Sequence, residues 1–192
     1  MAKETRKEDE EELTGRESFK LDLFFWLQAF VAVLCALVLV FSFLGRVIVV
    51  DGSSMVPTLH HGDLLLLQGI GYTPEQGDIV VLTKEFQNVD TPIVKRVIAT
   101  GGQTVHIDYA TSTVYVDGVA LDEPYINELM RMPMGETITD VTVPEGSVFV
   151  MGDNRNNSSD SRVPELGTVD ERYILGEVLL VLFPFQNFGI VH

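Results

Sequence analysis

Cysteine is almost missing from this sequence of 192 residues. The single thiol, Cys35, excludes an intramolecular disulfide framework and a four-cysteine zinc site. Basic residues are scarce too: 13 Lys and Arg stand against 28 Asp and Glu, a formal net charge of −15. A chain this acidic is a poor candidate for holding nucleic acid through its phosphates. There is no internal repeat and no long amphipathic helical pattern. The four histidines, His60, His61, His106 and His192, show no metal-ligand spacing with acids or cysteine and read as surface or core histidines. Hydrophobic residues make up 46%, an ordinary globular share, which excludes disorder of the whole chain. The length fits one domain of moderate size with an attachment.

What is present is unevenly spread. Residues 23–44, LFFWLQAFVAVLCALVLVFSFL, hold no charge and only Gln28 and Ser42 as clearly polar interruptions. At about 1.5 Å per residue this run spans roughly 33 Å, enough for the hydrocarbon core of a bilayer. A cleavable signal peptide has a shorter apolar run and a small-residue cleavage site. Here Leu44-Gly45-Arg46-Val47 follows, so the segment is expected to be a retained membrane helix. Lys3, Arg6, Lys7, Arg16 and Lys20 precede it, and only Arg46 lies in the 20 residues after it. The excess of Lys and Arg predicts a cytoplasmic N-terminus, with residues 45–192 outside. The acidic run Glu8 to Glu12 counts little in that rule, and residues 1–22 read as a solvated cytoplasmic tail. Cys35 falls inside the apolar run, so the exported part has no cysteine, which fits a bacterium better than a secreted eukaryotic domain.

The exported part reads as mainly β. Asp63 to Leu67, Asp78 to Leu82 and Ser147 to Met151 are short apolar runs introduced by turn residues. Thr113-Val114-Tyr115-Val116 and Val119-Ala120-Leu121 flank Asp117-Gly118, a strong signal for a two-residue hairpin. Glu177 to Phe183 reads as a last strand, ended by Pro184. The expected architecture is a folded sheet, barrel-like, with residues 103–147 as a small inserted excursion.

Two segments offer a catalytic pair. Gly52-Ser53-Ser54-Met55-Val56-Pro57 can hold a serine hydroxyl exposed in a tight turn, but a serine needs a base beside it. Thr91 to Ala99 reads as a strand with Ile93, Lys95 and Val97 on one face and Val94, Arg96 and Ile98 on the other. Lys95 is therefore a cation on an apolar stripe. It is either a surface lysine at a sheet edge or a buried lysine whose pKa is lowered by desolvation. A buried, partly neutral amine could take a serine proton. A third segment, Met151 to Arg162, fails the spacing of a calcium loop. Arg155 stands third, Ser158 sixth and Pro164 twelfth. It reads instead as a hydrogen-bonded loop bracing a site, in which Asp160 and Arg162 could pair and a serine could hold Lys95.

Taken together, the apolar helix, Ser53-Ser54-Met55-Val56-Pro57-Thr58, Gly77-Asp78-Ile79-Val80, Val94-Lys95-Arg96-Val97 and Gly152-Asp153-Asn154-Arg155 through Ser158, Asp160, Ser161 and Arg162 closely resemble bacterial type I signal peptidase. The resemblance runs over nearly the whole chain from residue 23. It implies a membrane-bound serine endopeptidase that cuts signal peptides from exported preproteins at sites of the Ala-x-Ala type, with no metal or organic cofactor. By the resemblance, Ser54 matches the nucleophile and Lys95 the general base. Ser158 matches a serine that orients the lysine, Asp160 and Arg162 a supporting ion pair, and Asp153 part of the bracing loop. Met55, Leu59 and Ile93 are candidate walls of substrate pockets, with core positions as the alternative. The implied partners are preproteins and the lipid bilayer, with no nucleic acid.

The sequence departs from some members at Gly52, where relatives have a serine thought to donate to the oxyanion, at Asn156, often acidic, and at Gln103 after Gly102, usually Asp. Two other readings stay open. A self-cleaving regulator with the same Ser/Lys core should carry a DNA-binding domain in place of the helix, which this chain does not. A membrane-anchored β-domain without catalysis would leave Ser54 and Lys95 as structural residues.

Overall fold

Short runs of β-branched and leucine residues separated by turn residues favour strands, and strands dominate the chain beyond the apolar helix. A computed structural model describes residues 15–84 and 91–191. Lys3, Arg6, Lys7, the acidic run Glu8 to Glu12 and His192 lie outside the described residues.

Helix α1, Gly15–Leu44, is the first element. It begins before the apolar run predicted for 23–44, and its stretch Ser18–Val38 is long and apolar enough to cross a membrane. None of that stretch is buried against protein: Phe19, Trp26 and Phe30 are all exposed. The helix and the rest of the chain, from Leu44 on, form two separate compact units.

The second unit is built on β1 (Arg46–Val49), β2 (Leu64–Gln68), β3 (Ile79–Leu82), β4 (Ile93–Thr100), β5 (Thr104–Asp108), β6 (Thr113–Val116), β7 (Val119–Ala120), β8 (Asp140–Thr142), β9 (Ser147–Met151), β10 (Val169–Asp170), β11 (Ile174–Phe183) and β12 (Gly189–Ile190). One sheet has the order β1-β2-β11-β3-β4-β9-β10, with β12 added to β11. The other has the order β7-β6-β5-β8. Every pairing in both is antiparallel. Register shifts interrupt β11 against β2 and β3, and β4 against β9. Such bulges bend a strand and increase its twist, which lets the large sheet curl on itself. The mainly β, folded-sheet architecture expected from the sequence is what forms.

The hairpin between β6 and β7 follows from two residues. Asp117 and Gly118 have φ of 51° and 78°, the left-handed pair that a two-residue turn matching strand twist requires.

Three apolar clusters fill the unit. Leu65, Leu67, Ile79, Val81, Val94, Val178 and Val181 join Met55 and Leu59 in the first. Val80, Leu82, Val97, Val148, Val150 and Val169 form the second. The third ties the two sheets together: Ile98, Ala99, Phe149 and Met151 pack with Val105, Ile107, Val114 and Val116. The stretch 103–147 thus has its own hydrogen-bonded sheet yet shares a core with β4 and β9. As a result β3 is buried along its length and β4 is buried at every position but its two ends.

Candidate active site

β4 is an interior strand, hydrogen-bonded to β3 on one side and β9 on the other, with Lys95 directly opposite Val80. An edge lysine could reach water; this one cannot, and only 3% of Lys95 is exposed. Its Nζ donates to the Val94 carbonyl at 2.9 Å and lies 2.7 Å from Ser54 Oγ. Burial pushes the pKa of Lys95 down from 10.5 to about 8. The negative charge of Asp160 pulls it back up, Arg162 lowers it, and Asp153 raises it. About a tenth of the amines are then neutral at pH 7, since each pH unit below the pKa lowers that fraction about tenfold.

Ser54 sits in the turn segment between β1 and β2, half-buried, while Ser53 is exposed. Buried Met55 and Leu59 anchor that segment from below, and the Leu59 N–H donates to the Met55 carbonyl at 2.9 Å. The loop after β9 grips it from the side. Asn154 donates its N–H to the Ser54 carbonyl at 2.9 Å, and Asn157 Nδ2 donates to Ser53 Oγ at 2.9 Å. Glycine is required at 152 because a Cβ there would lie 2.4 Å from the Ser54 carbonyl oxygen and 2.3 Å from Ser158 Oγ.

Three buried ion pairs hold this loop, one of them Arg155 with Glu123. Arg162 Nε and Nη2 each donate to Asp160 at 2.8 Å, and Nη2 also donates to the Arg155 carbonyl at 2.7 Å. Burial alone would raise the Asp160 pKa. The charge and hydrogen bonds of Arg162, the Gly152 N–H and a smaller effect of the Ser158 hydroxyl hold it below the usual carboxylate range. Arg96 forms the second pair, a fork onto Asp153 at 2.9 and 2.8 Å. Bidentate pairs of this kind fix orientation as well as charge.

The sequence pattern described as "Signal peptidase, peptidase S26" matches residues 23–183. The chain belongs to that family. Signal peptidase I of Bacillus licheniformis is 37% identical over 187 residues, 93% of this chain and 96% of that protein. Signal peptidase I T of Bacillus subtilis (strain 168) is 38% identical over 171 residues, 84% of this chain and 86% of that protein. A crystal structure of signal peptidase I from Enterococcus faecalis V583 is 30% identical, covers 58% of this chain and 98% of that one, and has a TM-score of 0.42.

Within this S26 chain, not every residue singled out from sequence lies where its expected role would put it. Ser158 Oγ is buried, yet no hydrogen bond joins it to Lys95; the Val94 carbonyl and Ser54 hold the amine instead. Met55 and Leu59 are fully covered in the first cluster, whereas Ile93 is half-buried and packs against the second. Gly52 supplies no side-chain donor; its N–H donates to His61 Nδ1 at 3.3 Å. Asn156 joins the loop to residues 129–131, donating to the Leu129 carbonyl and accepting from the Arg131 N–H. Gln103 Oε1 accepts the Thr100 N–H at 2.8 Å and so closes the turn between β4 and β5.

Several members of the site were not singled out from sequence. Arg96, Arg155, Glu123, Tyr125, Thr58, Asn154 and Asn157 all belong to it. Arg155 forks onto Glu123 at 2.9 and 2.6 Å, and the Arg96 guanidinium stacks 3.9 Å from the Tyr125 ring centre. Thr58 donates to Asp153. One signal was available: Arg96 follows Lys95 on an apolar strand, and a buried guanidinium must find an acid. Glu123 and Tyr125 carried no such mark.

Proposed function

We propose that Ser54 is the nucleophile and Lys95 the general base of an endopeptidase that removes signal peptides from exported proteins, the activity of the S26 signal peptidases. The observation that carries this reading is a serine hydroxyl 2.7 Å from a lysine amine that burial keeps partly neutral. A neutral amine in that position accepts the hydroxyl proton as Oγ bonds to the scissile carbonyl carbon. The Ser54 N–H is the proposed donor to the oxyanion that forms. When the intermediate collapses, the C–N bond breaks and the leaving amine takes the proton from Lys95. Lys95 then takes a proton from water, which attacks the ester and frees Ser54. Ser/Lys pairs follow the same logic of nucleophile and base as the serine triad.

In this reading Asp160, Arg162, Asp153 and Ser158 support the dyad by fixing the loop behind it. Of the candidate subsite walls, half-buried Ile93 can line a shallow apolar subsite that favours small residues, while covered Met55 and Leu59 act as core beneath the turn, and the preferred cut follows an Ala-x-Ala type sequence. Residues 1–22 form a cytoplasmic tail, 23–44 cross the bilayer, and 45–192 form the peptidase domain on the outer face, with 103–147 as an inserted excursion. The peptide enters extended, as an added strand.

The test is cleavage of a preprotein by the detergent-solubilised enzyme. Ser54→Ala and Lys95→Ala each lose cutting, while Ser53→Ala keeps much of it. Wild-type cutting by both dyad variants would contradict the assignment.

A further inference from the structure

The carbonyls of Ser53 and Ser54 both end on one residue. Asn154 Nδ2 donates to the Ser53 carbonyl at 3.1 Å, and the Asn154 backbone N–H donates to the Ser54 carbonyl at 2.9 Å. Asn154 is itself buried, with 8% of its surface exposed. The peptide between Ser53 and Ser54 is trans. In a trans peptide the N–H runs antiparallel to the C=O, so whatever fixes the Ser53 carbonyl also fixes the direction of the Ser54 N–H. That N–H points away from Asn154 and has no hydrogen-bond partner among the described residues. A backbone donor that is held in place, left unused and attached to the serine facing Lys95 is arranged as a developing oxyanion requires.

We propose that Asn154 is a positioning residue for the oxyanion site: its carboxamide holds the Ser53–Ser54 peptide so that the Ser54 N–H is aimed before substrate arrives. This rests on the Ser54/Lys95 reading above and extends it to a residue that touches neither the substrate nor the lysine. The chemistry needs a donor at this position. An aspartate of the same shape would set a carboxylate oxygen against the Ser53 carbonyl, and the two would repel. The Ser53 carbonyl also accepts the Val56 N–H at 3.2 Å, and the Asn154 backbone bond does not depend on the side chain. Loss of the carboxamide therefore loosens the donor without releasing the turn, and the effect is smaller than outright removal of a donor.

The experiment compares wild type, Asn154→Ala and Asn154→Asp as full-length enzyme in detergent, using a peptide substrate and its non-cleaved product-side analogues. One analogue is the substrate cut back to the scissile residue and ended as an aldehyde. With this ligand, Ser54 Oγ bonds to the aldehyde carbon, the hydroxyl proton passes to Lys95, and the former carbonyl oxygen becomes the oxyanion. The other is the same peptide ended as an amide, which stays unreacted. Both variants are expected to lose about 10- to 100-fold in kcat, with KM within about twofold. They should lose aldehyde affinity by a similar factor and keep amide affinity and the acid limb of the pH profile. A kcat within about twofold of wild type would overturn the proposal. So would a joint change in kcat, KM, amide affinity and thermal midpoint, which marks a merely structural residue. Ser54→Ala in the same assay separates the two levels: if it still cuts, the dyad reading falls and takes this one with it.

Discussion

Lys95 is the residue on which the chemistry depends, and it carries a measurable cost. An unfolded chain keeps its amine near 10.5, while the folded protein holds it near 8. Below pH 8 both states are protonated, and the folded state bears the full penalty of a buried charge. Between pH 8 and 10.5 the unfolded state binds the extra proton, so stability rises with pH across that window by about 3 kcal/mol. Denaturant unfolding of the detergent-solubilised protein should show that rise. Lys95→Met should lack it and should be the more stable protein at pH 7. A wild-type slope unchanged by Lys95→Met would mean that another group titrates there. Lys95 could be singled out from sequence because a cation on an apolar stripe breaks a local rule; a serine in a Gly-led turn breaks none, and Ser54 could be named only through the resemblance to the signal peptidases. The geometry of Ser158 could not, since a hydroxyl in a polar loop breaks none.

At the scale of elements, β4 and the loop after β9 form one device. β4 presents Lys95 to Ser54 and Arg96 to Asp153, while the loop returns Asp160 and Arg162 to the same place. Removing one partner of a buried pair leaves an uncompensated charge. Arg162→Met is therefore expected to cost about 3–5 kcal/mol, and the double variant Asp160→Asn with Arg162→Met much less. Denaturant unfolding checks both; equal losses in the single and double variants would show that the pair does not act as a pair. The main strands and the Asp-Gly hairpin were legible because they combine apolar runs with turn residues. Strands β1, β5, β8, β10 and β12 were not singled out: β10 and β12 are too short for a period to show, β1 adjoins the apolar run, where alternation is masked, and β5 and β8 lie in the more polar, turn-rich stretch 103–147. The brace from Glu123 and Tyr125 was hidden for a different reason. It depends on which loops the sheets bring together, and no local pattern encodes that.

For the molecule as a whole, the apolar helix and the charges beside it are what the sequence displays most openly. The stretch Ser18–Val38 is long and apolar enough to cross a membrane, as the proposed anchoring requires. The proposed orientation follows from Lys and Arg alone, since the acids of the tail count little. It can be tested through the scarcity of cysteine. In a Cys35→Ser background, Ala110→Cys places one thiol on an exposed turn of the second unit. A membrane-impermeant maleimide should label it in intact cells; labelling only after lysis would reverse the orientation.

The pH dependence of kcat/KM for preprotein cleavage tests the central claim most directly, because it reports the free enzyme's base. A lysine held near 8 by burial should make kcat/KM climb about tenfold per pH unit in acid and level off above a midpoint at about 8. A profile flat from pH 6 to about 9 would contradict the role of Lys95 as the base that activates Ser54.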